Sequence, residues 1–587
     1  MGVFFIVSSN IFNAVAPKFV KEIIDFAKTS MEGGHDFSPI VLTIANWLSI
    51  SEEELATFDR SLTVKLIVWL SLAYIISAII KGFFLFLTRQ TIIIMSRLIE
   101  YDLKNEVYKQ YQRLSPSFYK QNNTGDLMNR ISEDVSRVRM YLGPAVMYTI
   151  NLAVLIILVV AMMINVNPTL TLYSLLPLPF MSLAIYLVSS TINRKSEKVQ
   201  RQQSKLSTIV QESISGIRTI KTYHREDSQA DFFKNESDNY KIRALDLVKT
   251  EALFIPIIIL LVGLSSIVTI YIGGNMVMEG TMTIGEVFQF IFYINMLTWP
   301  FASVGWITSL VQKAAASQKR INEFLEQESA IKNLQENHTK IKGDIVFKNV
   351  SFAYDDAPNQ MILKDISFSI NKGETLAIIG HTGSGKSTLA NLFGRLFDIT
   401  KGDVLIDKKP LKSINLHDLR SSIGYVPQDV FLFSESIRDN IAFGVDNPSK
   451  EDIIEAAKDA VVHRNIIGFK DKYDTLLGER GINLSGGQKQ RVSISRAILS
   501  KPPILIFDDC LSAVDTETEE KILTNLKRRM TNSTSIIISH RISSIKHATK
   551  IIVLEDGRII ESGTHQELLD RGKEYFSLYQ KQLLEAV

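Results

Sequence analysis

Six long apolar stretches before residue 312, a change of hydrophobic periodicity near residue 341 and the nonapeptide GHTGSGKST at 380–388 predict a membrane α-helical domain of six spans followed by an α/β P-loop NTPase domain. The chain has 587 residues, too many for one globular core, and 46% of them are apolar. The apolar runs stop near Leu325 and ordinary α/β patterning takes over. The expected division is a transmembrane domain over 1–325, a linker over 326–340 and a nucleotide-binding domain over 341–587.

Charge narrows the function classes. Lys and Arg number 65 against 62 Asp and Glu, a net charge of +3 spread along the whole chain. A nucleic-acid partner needs a concentrated basic face, so that class is excluded. Cys510 is the lone cysteine, which rules out an internal disulfide and leaves the redox compartment unread. The N-terminal apolar run has no basic residues before it and no clear cleavage site, and reads as a membrane helix rather than a signal peptide.

Crossing about 30 Å of hydrocarbon takes roughly 20 apolar residues in a helix. The six stretches are 2–16, 66–87, 141–164, 170–190, 252–272 and 287–311. The first falls short, which leads to the expectation that a basic amphipathic lead-in and the first turns of this helix lie upstream of Met1, lost to a misassigned start. Segments 89–140 and 191–250 are rich in Lys and Arg, whereas 18–60 carries more acids than bases, and the positive-inside rule places the first two in the cytoplasm. Both continue a polar helical pattern, so helices two to five are expected to reach far beyond the bilayer. Within them, 115–134 and 212–226 break the pattern and read as docking elbows, the alternative being solvated helical hairpins. Lys81, in the second span, reads as a residue that snorkels to the headgroups, with Arg89 two turns on. Pro300 and Gly305 fit either a kinked pore-lining helix or ordinary packing.

Beyond residue 341, IVFKNVSFAY and ILKDISFSI alternate as strands do, and TLAII at 375–379 reads as a short buried strand. Directly after it come Gly380, His381, Thr382, Gly383, Ser384, Gly385, Lys386, Ser387 and Thr388, which satisfy G-x-x-x-x-G-K-[ST] between a strand and a helix. The glycines permit turns that aim backbone N–H groups inward, and the helix N-terminus adds positive potential. Lys386 reaches the outer phosphates, and the Ser387 hydroxyl takes Mg²⁺. Far downstream, ILIFDD at 504–509 is an apolar strand ending in carboxylates, which makes Asp508 the second Mg²⁺ anchor.

Between these two motifs lies LSGGQ at 484–488, opening a helix. The order phosphate loop, VPQD at 426–429, LSGGQ, Asp-ended strand, SAVD at 512–515 and SHR at 539–541 resembles the ATP-binding cassette of ABC transporters. With six spans before it, the chain resembles a bacterial multidrug-type ABC exporter half over all but its shortened N-terminus. The resemblance implies ATP and Mg²⁺ as ligands and a role for each motif residue. Tyr354 would stack on adenine. Gln428 would sense Mg²⁺ and the attacking water while touching the elbows, and His540 would hydrogen-bond the γ-phosphate. Ser485, Gly486, Gly487 and Gln488, with Asp515, would serve nucleotide held across a dimer, because a second helix N-terminus must close each site. Glu479, in LLGERG, resembles the position that meets the partner's elbow.

One position departs from the family pattern. Hydrolysing members usually carry Glu after the Asp of the strand, and this chain has Asp509, whose carboxylate is withdrawn by one methylene, about 1.5 Å. A misplacement of that order costs about a hundredfold in rate, so weak hydrolysis at this chain's own site is expected. Cys510 beside it reads as a small buried hydrophobe. The implied function is ATP-driven export of a small amphipathic molecule or lipid by alternating access. The chain would sit in the cell membrane, its ATPase domain cytoplasmic. Its partner would be a second half-transporter, a heterodimer favoured over a homodimer. An ATP-gated channel or signalling subunit and an exporter-fold importer are the rival functions.

Overall fold

The computed structural model describes residues 1–32, 37–51, 54, 60–512, 514–530 and 533–585. The acid-rich segment 18–60 and the SAVD motif each lie partly outside these residues, the latter at Ala513. The chain divides into two compact units. The first comprises Met1–Lys109 and Met128–Glu326, and the second Gln110–Leu127 and Gln327–Val587.

Among the described residues, six helices of the chain are long and apolar enough to cross a membrane: Gly2–Met31, Arg60–Arg113, Thr124–Val166, Pro168–Ser215, Glu226–Met278 and Ile284–Leu325. The first corrects the expectation of a short span. The helix runs over Gly2–Glu32 and carries Pro17 inside it. Beyond the apolar run the sequence turns amphipathic, so that Phe26 is buried in a cluster with Val41, Leu66 and Leu70 while Lys18 and Asp25 stay half-exposed. A proline ring removes one helical hydrogen bond, and flanking packing keeps the helix going. The second span is 54 residues long, about 80 Å at 1.5 Å per residue against about 30 Å of hydrocarbon. The sixth runs unbroken through Pro300.

The first unit is fastened by buried polar pairs. Asn10 Nδ2 donates to Asn151 Oδ1 at 2.8 Å, and the Ser174 and Thr269 hydroxyls meet at 2.7 Å. Asp25 accepts from Gly285 N–H at 2.8 Å and from Thr283 Oγ1 at 2.7 Å, setting a carboxylate at the N-terminus of the sixth helix. A Cβ on Gly285 would lie 2.6 Å from that carboxylate, so only glycine allows the approach. Asp134, buried, accepts from Ser317 Oγ at 2.7 Å and pairs with Arg320. Large apolar side chains such as Val68, Ile75, Ile79, Phe83 and Phe86 point outward along the second span, the surface that hydrocarbon would cover.

The second unit holds two sheets. An antiparallel sheet has the order β2-β1-β4-β5, from β1 (Ile345–Phe352), β2 (Leu363–Ile370), β4 (Lys401–Ile406) and β5 (Lys409–Pro410). The larger sheet has the order β10-β9-β3-β8-β7-β6, from β3 (Thr375–Ile379), β6 (Ile423–Val426), β7 (Ile504–Asp508), β8 (Thr534–Ile538), β9 (Lys550–Glu555) and β10 (Arg558–Gly563). All its pairings are parallel except β9 with β10. β7 and β8 are buried at every residue, as strands covered on both faces are.

Register is what positions the site. Ile378 pairs with Ile538, Ile538 with Asp508, and Phe507 with Val426. The ends of β3, β8, β7 and β6 are therefore level, and the loops that leave them at Gly380, Ser539, Asp509 and Pro427 share one edge. Open parallel sheets bind ligands at that edge.

Candidate nucleotide site

The loop after β3 is built on left-handed glycines: Gly383 has φ +85° and Gly385 φ +100°. Gly385 is favoured by that φ, which side chains rarely adopt, and a Cβ there would also press within 2.9 Å of Leu363 Cδ2. Lys386 opens the helix Lys386–Phe393, is 7% exposed, and folds its ammonium back onto Gly380 O at 2.9 Å and His381 O at 2.8 Å. Burial pulls its pKa down, and Asp509 and Asp508 pull it up. Thus a desolvated cation sits at the mouth of a ring of backbone groups. The Ser384 hydroxyl is buried there with no hydrogen-bond partner among the described residues, and Thr382 and Gly383 are exposed. An anion would satisfy both the cation and the hydroxyl.

Ser387 Oγ donates to Asp508 Oδ1 at 3.1 Å, and the Tyr425 hydroxyl reaches Oδ2 at 3.5 Å. Burial raises the Asp508 pKa, and the Ser387 bond opposes it. A hydroxyl and a carboxylate in contact, with few other ligands, fit a Mg²⁺ that keeps much of its water shell. Asp509 follows in the left-handed region at φ +45°, its N–H donating to Ile538 O at 2.8 Å. Asp tolerates this conformation better than most residues. Cys510 is 2% exposed, and burial pushes its thiol pKa up, which agrees with a packing role.

Beyond β8, Arg541 donates to Ser512 O and Val514 O, each at 3.1 Å, and pairs with Glu519, which ties SHR to SAVD. The neighbouring His540 imidazole is half-buried, and that burial lowers its pKa, with Lys386 adding to the effect. Gln428 lies exposed two residues past β6. Tyr354 packs edge-on against Phe352 and Phe397, and its hydroxyl meets Thr388 Oγ1 at 3.0 Å.

Two groups of predicted residues are taken up in helix caps. Ser485 and Gln488 form a capping box at the start of the helix Gly486–Leu499 and, among the described residues, make no hydrogen bond to the phosphate loop. Asp515 accepts from Thr518 N–H at 2.9 Å and caps the helix Thr516–Met530. The Ser485 hydroxyl accepts within its box, which leaves its proton free to donate outward, and Gly486 and Gly487 present bare backbone beside it. The His381 ring turns to Glu574 Oε1 at 3.0 Å. Glu479 is exposed in a short turn.

Sequence reasoning missed Tyr425 and Lys120. The Lys120 ammonium lies 3.5 Å over the Tyr354 ring and 3.5 Å from Asp356, joining the first elbow to the adenine candidate inside the second unit. Its signal was a basic residue within an expected elbow, with nothing to name its partner.

The family described as ABC transporter transmembrane region matches residues 1–301, and the family described as ABC transporter matches 363–512. This chain belongs to the ABC transporters. The transporter is 38% identical over 520 residues to the uncharacterised ABC transporter ATP-binding protein YknU of Bacillus subtilis, covering 88% of this chain and 89% of that one. It is 34% identical to the multidrug resistance-like ATP-binding protein MdlA of Escherichia coli, over 89% of each chain. It is also 34% identical to the ATP-dependent lipid A-core flippase of Syntrophus aciditrophicus, over 90% and 87%. A solved bacterial Atm1-family ABC exporter with ATP bound superposes with a TM-score of 0.76 at 25% identity, over 99% of this chain and 98% of that one.

The transporter is therefore a multi-pass protein of the cell membrane with a cytoplasmic ATPase domain. It has the exporter fold, binds ATP in its cassette, couples ATP hydrolysis to transport, and works as a dimer of such halves.

Proposed function

We propose that the transporter is the regulatory half of a heterodimeric exporter that moves an amphipathic molecule, drug-like or lipid, outward by alternating access. Asp509 carries this reading. Phosphate loop, Asp508, Gln428 and His540 all leave one sheet edge, yet the residue after Asp508 is one methylene shorter than the Glu usual in the family.

In this mechanism ATP closes two cassettes face to face, and hydrolysis resets them. Lys386 and the loop N–H groups from Gly380 to Thr388 hold the phosphates, Tyr354 stacks on the base, and Ser387, Asp508 and Gln428 would hold Mg²⁺. The ion would neutralise charge that develops on the phosphates. His540 would hold the γ-phosphate, and Asp509 would orient the attacking water from too far back. Ser485, Gly486, Gly487 and Gln488, with Asp515, would complete the partner's site. The named activities of the relatives support an apolar or amphipathic cargo, as do the six apolar stretches of the sequence, in which Lys81 is the lone charged residue.

The test is ATP hydrolysis by the purified full chain alone. It should be slow, and Asp509→Glu should raise it by about tenfold or more. Brisk, substrate-stimulated hydrolysis and vesicle transport by the lone chain, lost on Asp509→Ala, would instead establish a homodimer in which Asp509 suffices.

A further inference from the structure

The loop that carries His540 is held from an unexpected quarter. Gln582, near the end of the helix Glu574–Glu585, donates its side-chain amide to His540 O at 2.5 Å and accepts from Ile542 N–H at 2.8 Å. One amide thus satisfies a carbonyl and an N–H on either side of Arg541. The loop's other holds fall on either side of the histidine: Ser539 N–H bonds Ile378 O at 3.3 Å, Arg541 N–H bonds Ser539 Oγ at 3.0 Å and the Arg541 side chain reaches Ser512 O and Val514 O, whereas the His540 ring has no hydrogen-bond partner among the described residues.

The helix that presents Gln582 is itself fixed. Tyr575 is fully buried in the cassette core, its hydroxyl bonded to His565 Nδ1 at 2.7 Å and its N–H to Glu561 at 3.1 Å. Leu578 and Tyr579 pack against the same core. Positions 575, 578, 579 and 582 recur at helical spacing and share one face, so the buried anchor sets where Gln582 points. At the helix start, Glu574 bonds His381 of the phosphate loop at 3.0 Å. A single rigid helix therefore grips both loops that would meet the terminal phosphate, about 12 Å apart along its axis.

We propose that Gln582 is a positioning residue for His540, holding the imidazole at the height where it meets the γ-phosphate. The proposal rests on the reading of His540 given above. Glutamine suits the task because it offers a donor and an acceptor at once. Glutamate keeps the acceptor for Ile542 N–H but turns an anion toward His540 O, and leucine keeps the bulk with neither bond.

Single-turnover hydrolysis of labelled ATP by the full-length chain in nanodiscs tests this. Gln582→Leu and Gln582→Glu should each lower the rate at saturating ATP by about tenfold, with the half-saturating ATP concentration unchanged and melting temperature near wild type. In a His540→Ala background, Gln582→Leu should cost nothing further, since residues acting through one group are non-additive. An unchanged rate in Gln582→Leu overturns the proposal. So does an equal loss with and without His540, which would make the amide merely structural. If His540→Ala alone leaves hydrolysis intact, the reading of His540 fails first, and the proposal falls with it.

Discussion

Ser387 Oγ and Asp508 Oδ1 meet at 3.1 Å across 121 residues of sequence, joining the first turn after the phosphate loop to the last residue of β7. The bond marks the seat proposed for Mg²⁺. Asp508→Asn keeps the size and removes the charge. It should lower hydrolysis at this site at least about a hundredfold while sparing Mg²⁺-free nucleotide binding. Hydrolysis and nucleotide photolabelling, each with and without Mg²⁺, check it, and retained Mg²⁺-dependent turnover would place the metal elsewhere.

Lys386→Ala should abolish productive ATP binding at the same site. The ammonium is the buried counter-charge within the loop, and the carbonyls of Gly380 and His381 that now receive it cannot replace it. Photolabelling of this subunit should be lost, and labelling at wild-type level would contradict the phosphate-loop assignment.

His540 predicts a pH effect. Burial, reinforced by Lys386, holds the imidazole below the ordinary histidine value, with Asp509 opposing. Between that lowered value and about 6.5 the unfolded chain binds more protons than the folded one. Stability from this group is therefore present above that window and lost as pH falls through it. The melting temperature of the nucleotide-free protein should drop less between about pH 7 and pH 5 in His540→Gln than in wild type. Equal slopes would show that the imidazole is not shielded.

Asp134→Asn tests the first unit. The carboxylate is buried, Arg320 is 47% exposed, and Ser317 adds a further bond. Breaking such a pair in the interior costs about 3–5 kcal/mol, and the exposure of Arg320 reduces this to about 2 kcal/mol. Thermal unfolding in detergent should register that loss, with photolabelling at Lys386's site unchanged.

The larger outlines were legible because their signals are local. Six apolar stretches foretold six membrane helices, and TLAII before GHTGSGKST foretold β3 and its loop. ILIFDD foretold β7, ending at Asp508. The length of the first helix was misread because its second half is amphipathic, and packing around Phe26 extends it past Pro17. Contacts made across long sequence separations left no trace: Tyr425 on Asp508, Lys120 on Tyr354 and Gln582 on His540 are ordinary residues until the fold unites them.

Residues 110–127 belong to the same compact unit as the cassette. Gln110 donates to Gln327 O at 2.6 Å, Tyr111 bonds Leu127 O at 2.5 Å, and Lys120 covers the Tyr354 ring. A fragment excised at the linker would lack Gln110, Tyr111, Lys120 and Leu127. It would leave behind a cation that sits on the proposed base-stacking tyrosine, so nucleotide affinities measured on such a fragment would report a different aromatic surface from that of the intact protein.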